Sequence, residues 1–286
     1  MSEIKLIECP RDAMQGLHDF VPTELKAQYI NLLLKVGFDT LDFGSFVSAK
    51  AIPQMRDTTE LVKLLDLIDT KTKLLSIIAN ERGAKDACEF EEIKYLGFPF
   101  SVSETFQQRN TNASIEESLI RAETIQNLCE QNNKQLVVYL SMGFGNPYGD
   151  DWNIEILCQW TKALIEKGVK ILSLADTTGV STIEKINEIY PYLLKQFPQT
   201  EWGMHLHSTP ELSFKKIEAA FDAGCTRMDS AIKGFGGCPM ATDDLTGNIA
   251  TEDVLTYLKQ KNHVNTINES AWNEAFLFSS KIFDGY

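Results

Sequence analysis

The chain has 286 residues, 43% of them hydrophobic and 23% charged, enough apolar material for a sizeable core and a composition that excludes disorder or low complexity. Forty acidic residues against 27 basic ones give a formal charge of −13, which argues against nucleic acid as a partner because backbone phosphates are held by clustered cations. A small anionic ligand in a local pocket stays open. No apolar run approaches the roughly 18–20 residues that span a bilayer, and Met1-Ser2-Glu3-Ile4-Lys5 shows neither a signal-type apolar stretch nor an Arg-rich pattern; the expectation is a cytoplasmic protein with no membrane association. The six cysteines, Cys9, Cys88, Cys129, Cys158, Cys225 and Cys238, have no C-x-x-C spacing. They read as reduced, mostly buried small hydrophobes rather than a zinc knuckle or a disulfide framework.

Strand-like runs alternate with amphipathic stretches almost from the first residue. Ile4 to Ile7 reads as a strand, Thr23 to Val36 as a helix closed by Gly37, and Thr40 to Phe43 as a second strand. Leu74 to Ala79, Ile93 to Phe98, Leu136 to Ser141, Ile171 to Ala175, Trp202 to Leu206 and Arg227 to Ser230 continue the series to eight strands. Helix starts are legible between them: Ser114-Ile115-Glu116-Glu117 and Ser181-Thr182-Ile183-Glu184 fit the capping-box pattern, and Thr209-Pro210 places a cap before a proline at the first helical position. Gly37, Gly168 and Gly224 each follow a helical run and precede a strand, as left-handed C-caps do. Eight strand-then-helix units in one chain of this length predict a (β/α)8 TIM barrel, a single catalytic domain with the barrel over about 3–262; an open doubly wound sheet usually has fewer strands and a G-x-G-x-x-G after the first, which is missing here. The aromatic segment that follows, about 263–286, reads as a C-terminal helical extension packed on the barrel, with a partner surface as the other reading.

In such a barrel the active site lies at the C-terminal ends of the strands. The first strand is followed by Glu8-Cys9-Pro10-Arg11-Asp12-Ala13-Met14-Gln15, three of whose polar residues a purely structural turn would not need. Strand seven ends in His205-Leu206-His207, and period-two geometry sends both imidazoles to one side, as a metal-binding H-x-H requires; a pair of ordinary interior histidines is the other reading. After strand eight come Gly234-Phe235-Gly236-Gly237-Cys238-Pro239 and then Asn248. Strands seven, eight and one are neighbours once the barrel closes, so Asp12, His205, His207 and Asn248 are expected to converge. Two nitrogens and two oxygens without thiolate suit Mg²⁺ or Mn²⁺, with Zn²⁺ possible. Cys238, in a glycine-rich loop, is better placed as an acid or base than as a ligand.

Glu8 to Gln15, Ser45-Phe46-Val47-Ser48-Ala49-Lys50 with Pro53-Gln54-Met55, Ser103-Glu104-Thr105-Phe106 with Ser114 to Ser118, Gly145-Asn146-Pro147-Tyr148, Asp176-Thr177-Thr178-Gly179, His205-Leu206-His207, and Gly236-Gly237-Cys238-Pro239 with Gly247-Asn248 stand in one collinear order over nearly the whole chain. Together they resemble the 3-hydroxy-3-methylglutaryl-CoA lyase family, one of the metal-dependent barrel enzymes that also include isopropylmalate and homocitrate synthases. The resemblance implies cleavage of 3-hydroxy-3-methylglutaryl-CoA into acetoacetate and acetyl-CoA, a reverse Claisen reaction. It assigns Asp12, His205, His207 and Asn248 to a divalent cation, Arg11 to the enolate oxygen of the departing thioester, and proton transfer to Cys238. Asp42, where the family usually has Glu, and Asp176 are implied to position substrate or relay protons. Gln15, Ser45 and Lys50 are the candidate substrate contacts, with Lys50 and Arg56 the local cations for the phosphates of CoA, and a homodimer is the family expectation.

The chain departs from the family pattern in places. Ser208-Thr209-Pro210-Glu211 follows the histidine pair where Asp-Thr and a nearby Gly are usual, Ala13 replaces Gly, and the stretch from Cys238 to Asn248, with Asp243 and Asp244, is one residue longer. Asp243 and Asp244, with the shortened acid at Asp42, are expected on the substrate side, which keeps another 3-hydroxyacyl-CoA open as substrate. A Claisen condensing enzyme acting on acetyl-CoA and a 2-oxo acid, and a non-catalytic metabolite-binding barrel, are the remaining alternatives.

Overall fold

The computed structural model describes residues 4–237, 246–263 and 267–284. Its strands are β1 (Lys5–Glu8), β2 (Thr40–Ser45), β3 (Lys73–Ile77), β4 (Ile93–Ser101), β5 (Gln135–Ser141), β6 (Ile171–Ala175), β7 (Glu201–His205), β8 (His207–Ser208), β9 (Arg227–Ser230) and β10 (Gly247–Asn248). The helices are α1 (Pro10–Gln15), α2 (Thr23–Leu34), α3 (Thr58–Val62), α4 (Glu81–Cys88), α5 (Glu104–Thr111), α6 (Ile115–Gln131), α7 (Ile154–Glu166), α8 (Ile183–Gln196), α9 (Pro210–Asp222), α10 (Thr251–Gln260) and α11 (Glu269–Phe283). All strands but β8 and β10 close into one parallel barrel in the order β1-β2-β3-β4-β5-β6-β7-β9, with β9 returning to β1 through Lys5↔Arg227 to Glu8↔Ser230. This is the TIM barrel expected from the sequence.

The strand pleat sorts side chains into two layers. Leu75, Ile77, Tyr95, Val137, Tyr139 and Ile171 form a cluster of their own, alternating with Leu74, Leu96, Leu136, Val138 and Leu172 of the main core; the first set faces the barrel axis, the second the surrounding helices. The axial layer is partly polar. Arg227 is 1% exposed, its guanidinium carbon 5.5 Å from the Tyr95 ring centroid, and it fits because position 203 is glycine: a Cβ there would stand 3.1 Å from Arg227 Cδ.

Helix ends follow the sequence signals with two corrections. Ser114 and Glu117 form the reciprocal capping box and Gly37, Gly168 and Gly224 take positive φ. The second expected box does not form. Thr182, not Ser181, caps α8, its side chain accepting from the Lys185 amide, because Ser181 is engaged by Asp176. Thr209 occupies the cap position of α9 but accepts no hydrogen bond from it. The C-terminal helix α11 packs on α2, where Tyr29 stacks on Phe278 and meets Phe283 edge-on, while Phe235 stacks on Phe283 at 4.3 Å. No helix among the described residues is long and apolar enough to cross a membrane.

Candidate metal centre and active-site cavity

The segment after β1 is a short helix rather than the expected turn. Proline at its first position needs no amide partner, and helical spacing lets Gln15 reach back to residues three and four before it. Arg11 Nη1 donates to Asp12 Oδ1 at 2.8 Å and to Gln15 Oε1 at 2.9 Å, and Gln15 Nε2 donates to Asp12 Oδ1 at 2.8 Å. The far edge of the guanidinium grips β2, with Nη2 2.5 Å from Asp42 Oδ2 and Nε 3.2 Å from Oδ1.

The histidine pair is built differently from a single continuous strand. β7 ends at His205, Leu206 breaks the ladder, and His207 belongs to β8, a two-residue strand that leaves the barrel and pairs antiparallel with β10, setting His207 opposite Asn248. The convergence read from the sequence is present. Donor atoms of Asp12, His205 and His207 all lie within 4.8 Å of one another, and Asn248 Nδ2 is 2.7 Å from Asp12 Oδ2.

Hydrogen bonding behind these residues fixes what they offer. His205 Nδ1 is 3.1 Å from Asp229 Oδ2 and His207 Nδ1 is 3.2 Å from the Thr177 carbonyl. With acceptors at both Nδ1 atoms each ring donates there, which turns the two Nε2 atoms toward each other at 3.3 Å as the atoms left for a metal. Both amide hydrogens of Asn248 are spent, on Asp12 and on the Phe235 carbonyl, which leaves its Oδ1 as the donor. Burial works against charge on Asp12, but Arg11 and the two imidazoles outweigh it and hold the carboxyl below its usual range. Burial, with His205 beside it, pushes His207 down to about 4, so it stays neutral, as ligation requires. Two imidazole nitrogens, a carboxylate and a carboxamide oxygen fit a divalent cation with positions left for substrate oxygens.

A cavity of about 230 Å³ opens beside this cluster, lined by Arg11, Asp12, Gln15, His205 and His207 and by the apolar Val47, Ile77, Pro99, Phe106 and Tyr139. The Tyr139 ring meets His205 edge-on, 5.9 Å between centroids. Other candidates lie elsewhere. Asp42, 1% exposed, stands behind Arg11 rather than on the cavity, and burial outweighs the guanidinium to push its carboxyl up to about 6. Asp176 also turns away: its oxygens accept from the Ser181 amide, the Ser181 hydroxyl and Lys216 Nζ, so it is not free to meet substrate. Ser45 is corrected likewise, since its buried hydroxyl lies 3.3 Å from the Ile77 carbonyl and accepts from the Val47 amide. Lys50 is exposed on the stretch between Val47 and Ala51 at the cavity edge. Arg56 is exposed, its guanidinium lying 3.6 Å over the Phe20 ring. Cys238, Asp243 and Asp244 fall outside the described residues.

Asp229, Lys216 and Glu8 were missed in the sequence. Asp229 sits in a buried parallel strand beside Arg227, and two charged residues at period-two spacing in such a strand were a usable signal. Glu8 is fully buried, with Oε1 accepting from the Ile232 amide and Oε2 2.5 Å from Thr251 Oγ1.

A parallel barrel that brings Asp12, His205 and His207 together at one end, with Asn248 on Asp12 and a guanidinium on the same cavity, has the make-up of a metal-dependent barrel enzyme. The chain belongs to the HMGL-like family, whose model matches residues 4–275. It is 34% identical over 251 residues to hydroxymethylglutaryl-CoA lyase YngG of Bacillus subtilis, covering 88% of this chain and 83% of that protein. To the cytoplasmic 3-hydroxy-3-methylglutaryl-CoA lyase of Danio rerio it is 34% identical over 257 residues, 89% of this chain and 76% of that one. Among solved structures, the Bacillus subtilis HMG-CoA lyase superposes with a TM-score of 0.91 at 30% identity over 98% of this chain and 93% of that one. An HMG-CoA lyase from Acinetobacter baumannii in complex with coenzyme A and 3-methylmalate gives 0.89 at 28% identity, covering 98% and 91%.

Proposed function

We propose that this chain is a divalent-metal-dependent lyase that cleaves 3-hydroxy-3-methylglutaryl-CoA into acetoacetate and acetyl-CoA. The observation that carries the reading is the shared cavity: Arg11 lines the same space as Asp12, His205 and His207, and relatives named for this activity cover most of the chain. Asp12, His205, His207 and Asn248 would hold the cation, Mg²⁺ or Mn²⁺ by donor type, with Zn²⁺ admitted by the two imidazoles. When bound, it supplies Lewis acidity to the tertiary hydroxyl and orients it.

The remaining work falls to the chain's own groups. As the C–C bond breaks toward the thioester, negative charge grows on the thioester oxygen, and the Arg11 guanidinium is the preorganised donor for it. Asp42 holds the other edge of that guanidinium, which makes it a positioning residue rather than a proton relay. Gln15 fixes Asp12 and Arg11 relative to one another. The acetyl carbanion takes a proton from Cys238, and the proton that the tertiary hydroxyl gives up as it becomes the ketone restores the thiol, an assignment supported by the Gly236-Gly237-Cys238-Pro239 motif. Apolar walls from Ile77, Pro99, Phe106 and Tyr139 exclude water from the reacting carbons. Lys50 at the cavity edge is the proposed contact for CoA phosphates. A homodimer is the proposed assembly, checked by light scattering.

The deciding experiment is acetoacetate release from 3-hydroxy-3-methylglutaryl-CoA by protein stripped with chelator and resupplied with Mg²⁺ or Mn²⁺. Metal-restored cleavage is the expected result. Metal binding without cleavage would move the substrate to another 3-hydroxyacyl-CoA.

A further inference from the structure

We propose that Lys216 is a positioning residue of the metal centre, holding the backbone of His207 from beneath and tying it to the end of β6; the inference rests on the metal site proposed above.

Lys216 lies on α9, nine residues after His207, and is 2% exposed. A lysine buried to that degree persists only with its ammonium hydrogens engaged. Here Nζ is 2.7 Å from the His207 carbonyl oxygen and 3.1 Å from Asp176 Oδ2. The carbonyl belongs to the ligand residue itself, so the helix that follows the histidine pair sends a cation back to the pair it has just left.

The second contact carries the linkage to the neighbouring strand. Asp176 sits immediately after β6, its amide donating to the His205 carbonyl at 2.8 Å, and the next residue, Thr177, supplies the carbonyl that faces His207 Nδ1. Lys216 thus engages the backbone of His207 directly and, through Asp176, the segment that sets the imidazole's tautomer. Because His207 is also the cross-strand partner of Asn248, a shift at residue 207 is passed to a second ligand. The environment fits a positioning role: the site-side functions of Asp176 are taken up by Ser181 and Lys216, and neither Asp176 nor Lys216 lines the cavity.

A lysine needed only for folding would lower stability and leave metal affinity alone, which separates the two roles. Lys216→Met keeps the stem and removes the ammonium but leaves Asp176 buried without its cation; the double variant Lys216→Met with Asp176→Asn removes both charges and retains an acceptor for Ser181. Mn²⁺ binding, read by the electron paramagnetic resonance of the free ion, is measured on wild type, on the double variant and on Lys216→Gln, each checked for folding by circular dichroism. Loss of an outer contact to a ligating residue typically weakens metal binding about 10- to 100-fold. The expected result is a dissociation constant for Mn²⁺ raised by at least about tenfold in either folded variant, with Lys216→Arg recovering part of the loss. A folded variant that binds Mn²⁺ as wild type does overturns the role of Lys216. Wild type that binds no Mn²⁺ overturns the metal site itself, and the inference with it.

Discussion

Arg11 and Asp42 form a buried, two-point ion pair between α1 and β2, with Nη2 to Oδ2 at 2.5 Å and side chains 9% and 1% exposed. Two donors on one carboxylate fix the plane of the guanidinium as well as its distance, and that plane presents Nη1 to Asp12.

From this pair the first prediction follows. Arg11→Gln should lower kcat by about 100- to 1,000-fold, the usual loss for one charge-stabilising donor, measured at saturating Mn²⁺ because Arg11 also bonds Asp12. Asp42→Asn should keep the fold and lower kcat less, about tenfold, because the guanidinium loses its charged anchor but not its position next to Asp12. Single-turnover kinetics on both variants would reveal it; an unchanged kcat in Arg11→Gln removes the guanidinium from the chemistry.

His205 depends on Asp229 for its proton arrangement. Although burial opposes a charged imidazole, the Asp229 contact raises the His205 pKa above its ordinary value. Asp229→Asn should therefore leave the barrel intact while weakening divalent-cation binding roughly 10- to 100-fold. Isothermal titration with Mn²⁺ reads this directly, and affinity equal to wild type would show that the ring needs no carboxylate behind it.

Gly236 tests the closeness of packing at the centre. Its φ is +97°, and a Cβ there would stand 2.6 Å from Asn248 Nδ2 and 2.8 Å from the Asp12 carbonyl. Gly236→Ala should cost stability through backbone strain of about 1–3 kcal/mol and also weaken metal binding. Gly149→Ala is the control, since Gly149 has φ +77° with nothing within 4 Å of the added atom. The control should lose stability alone, and equal metal affinity in the two variants would refute crowding of Asn248.

Glu8 gives a pH dependence unrelated to catalysis. Burial raises its carboxyl to about 8 from an ordinary value of 4.5, against the lowering effect of its bonds to Thr251 and Ile232. The folded chain therefore binds a proton that the unfolded chain gives up. Stability from this group is fully present below about pH 4.5, falls as pH rises toward about 8, and is flat beyond, with a steepest slope of about 1.4 kcal/mol per pH unit. Glu8→Gln should remove that component. Urea denaturation at pH 5, 7 and 9 compares the two, and parallel curves would mean that Glu8 is ionised in the folded state.

Much of this was readable from residue order. Ile171 to Ala175 is a strand with the expected bounds, because an apolar run between a capping glycine and a polar turn leaves little choice of register; Arg227 to Ser230 also has them, marked by Gly224 before it although only Met228 in it is apolar. The closeness of Asp12, His205 and His207 is legible in the sequence because strand ends and barrel closure are one-dimensional facts. Their supports are not. Lys216 looks like any helix lysine until Ser213, Ile217 and Ala220 are seen to share its buried face, and Asp176 reads as a free carboxylate until Ser181 and Lys216 are placed on it. The break at Leu206 escaped notice because a two-residue strand has no periodicity to detect.

The ribbon of β8 and β10 also fixes where the chain is held around the candidate site. Gly236 abuts Asp12 and Asn248, while a Cβ on Gly179 would stand 2.6 Å from Thr246 Oγ1, so the chain is pinned on each side of the stretch 238–245. Gly236 and Thr246 therefore hold the chain against Asp12, Asn248 and Gly179 on either side of that stretch.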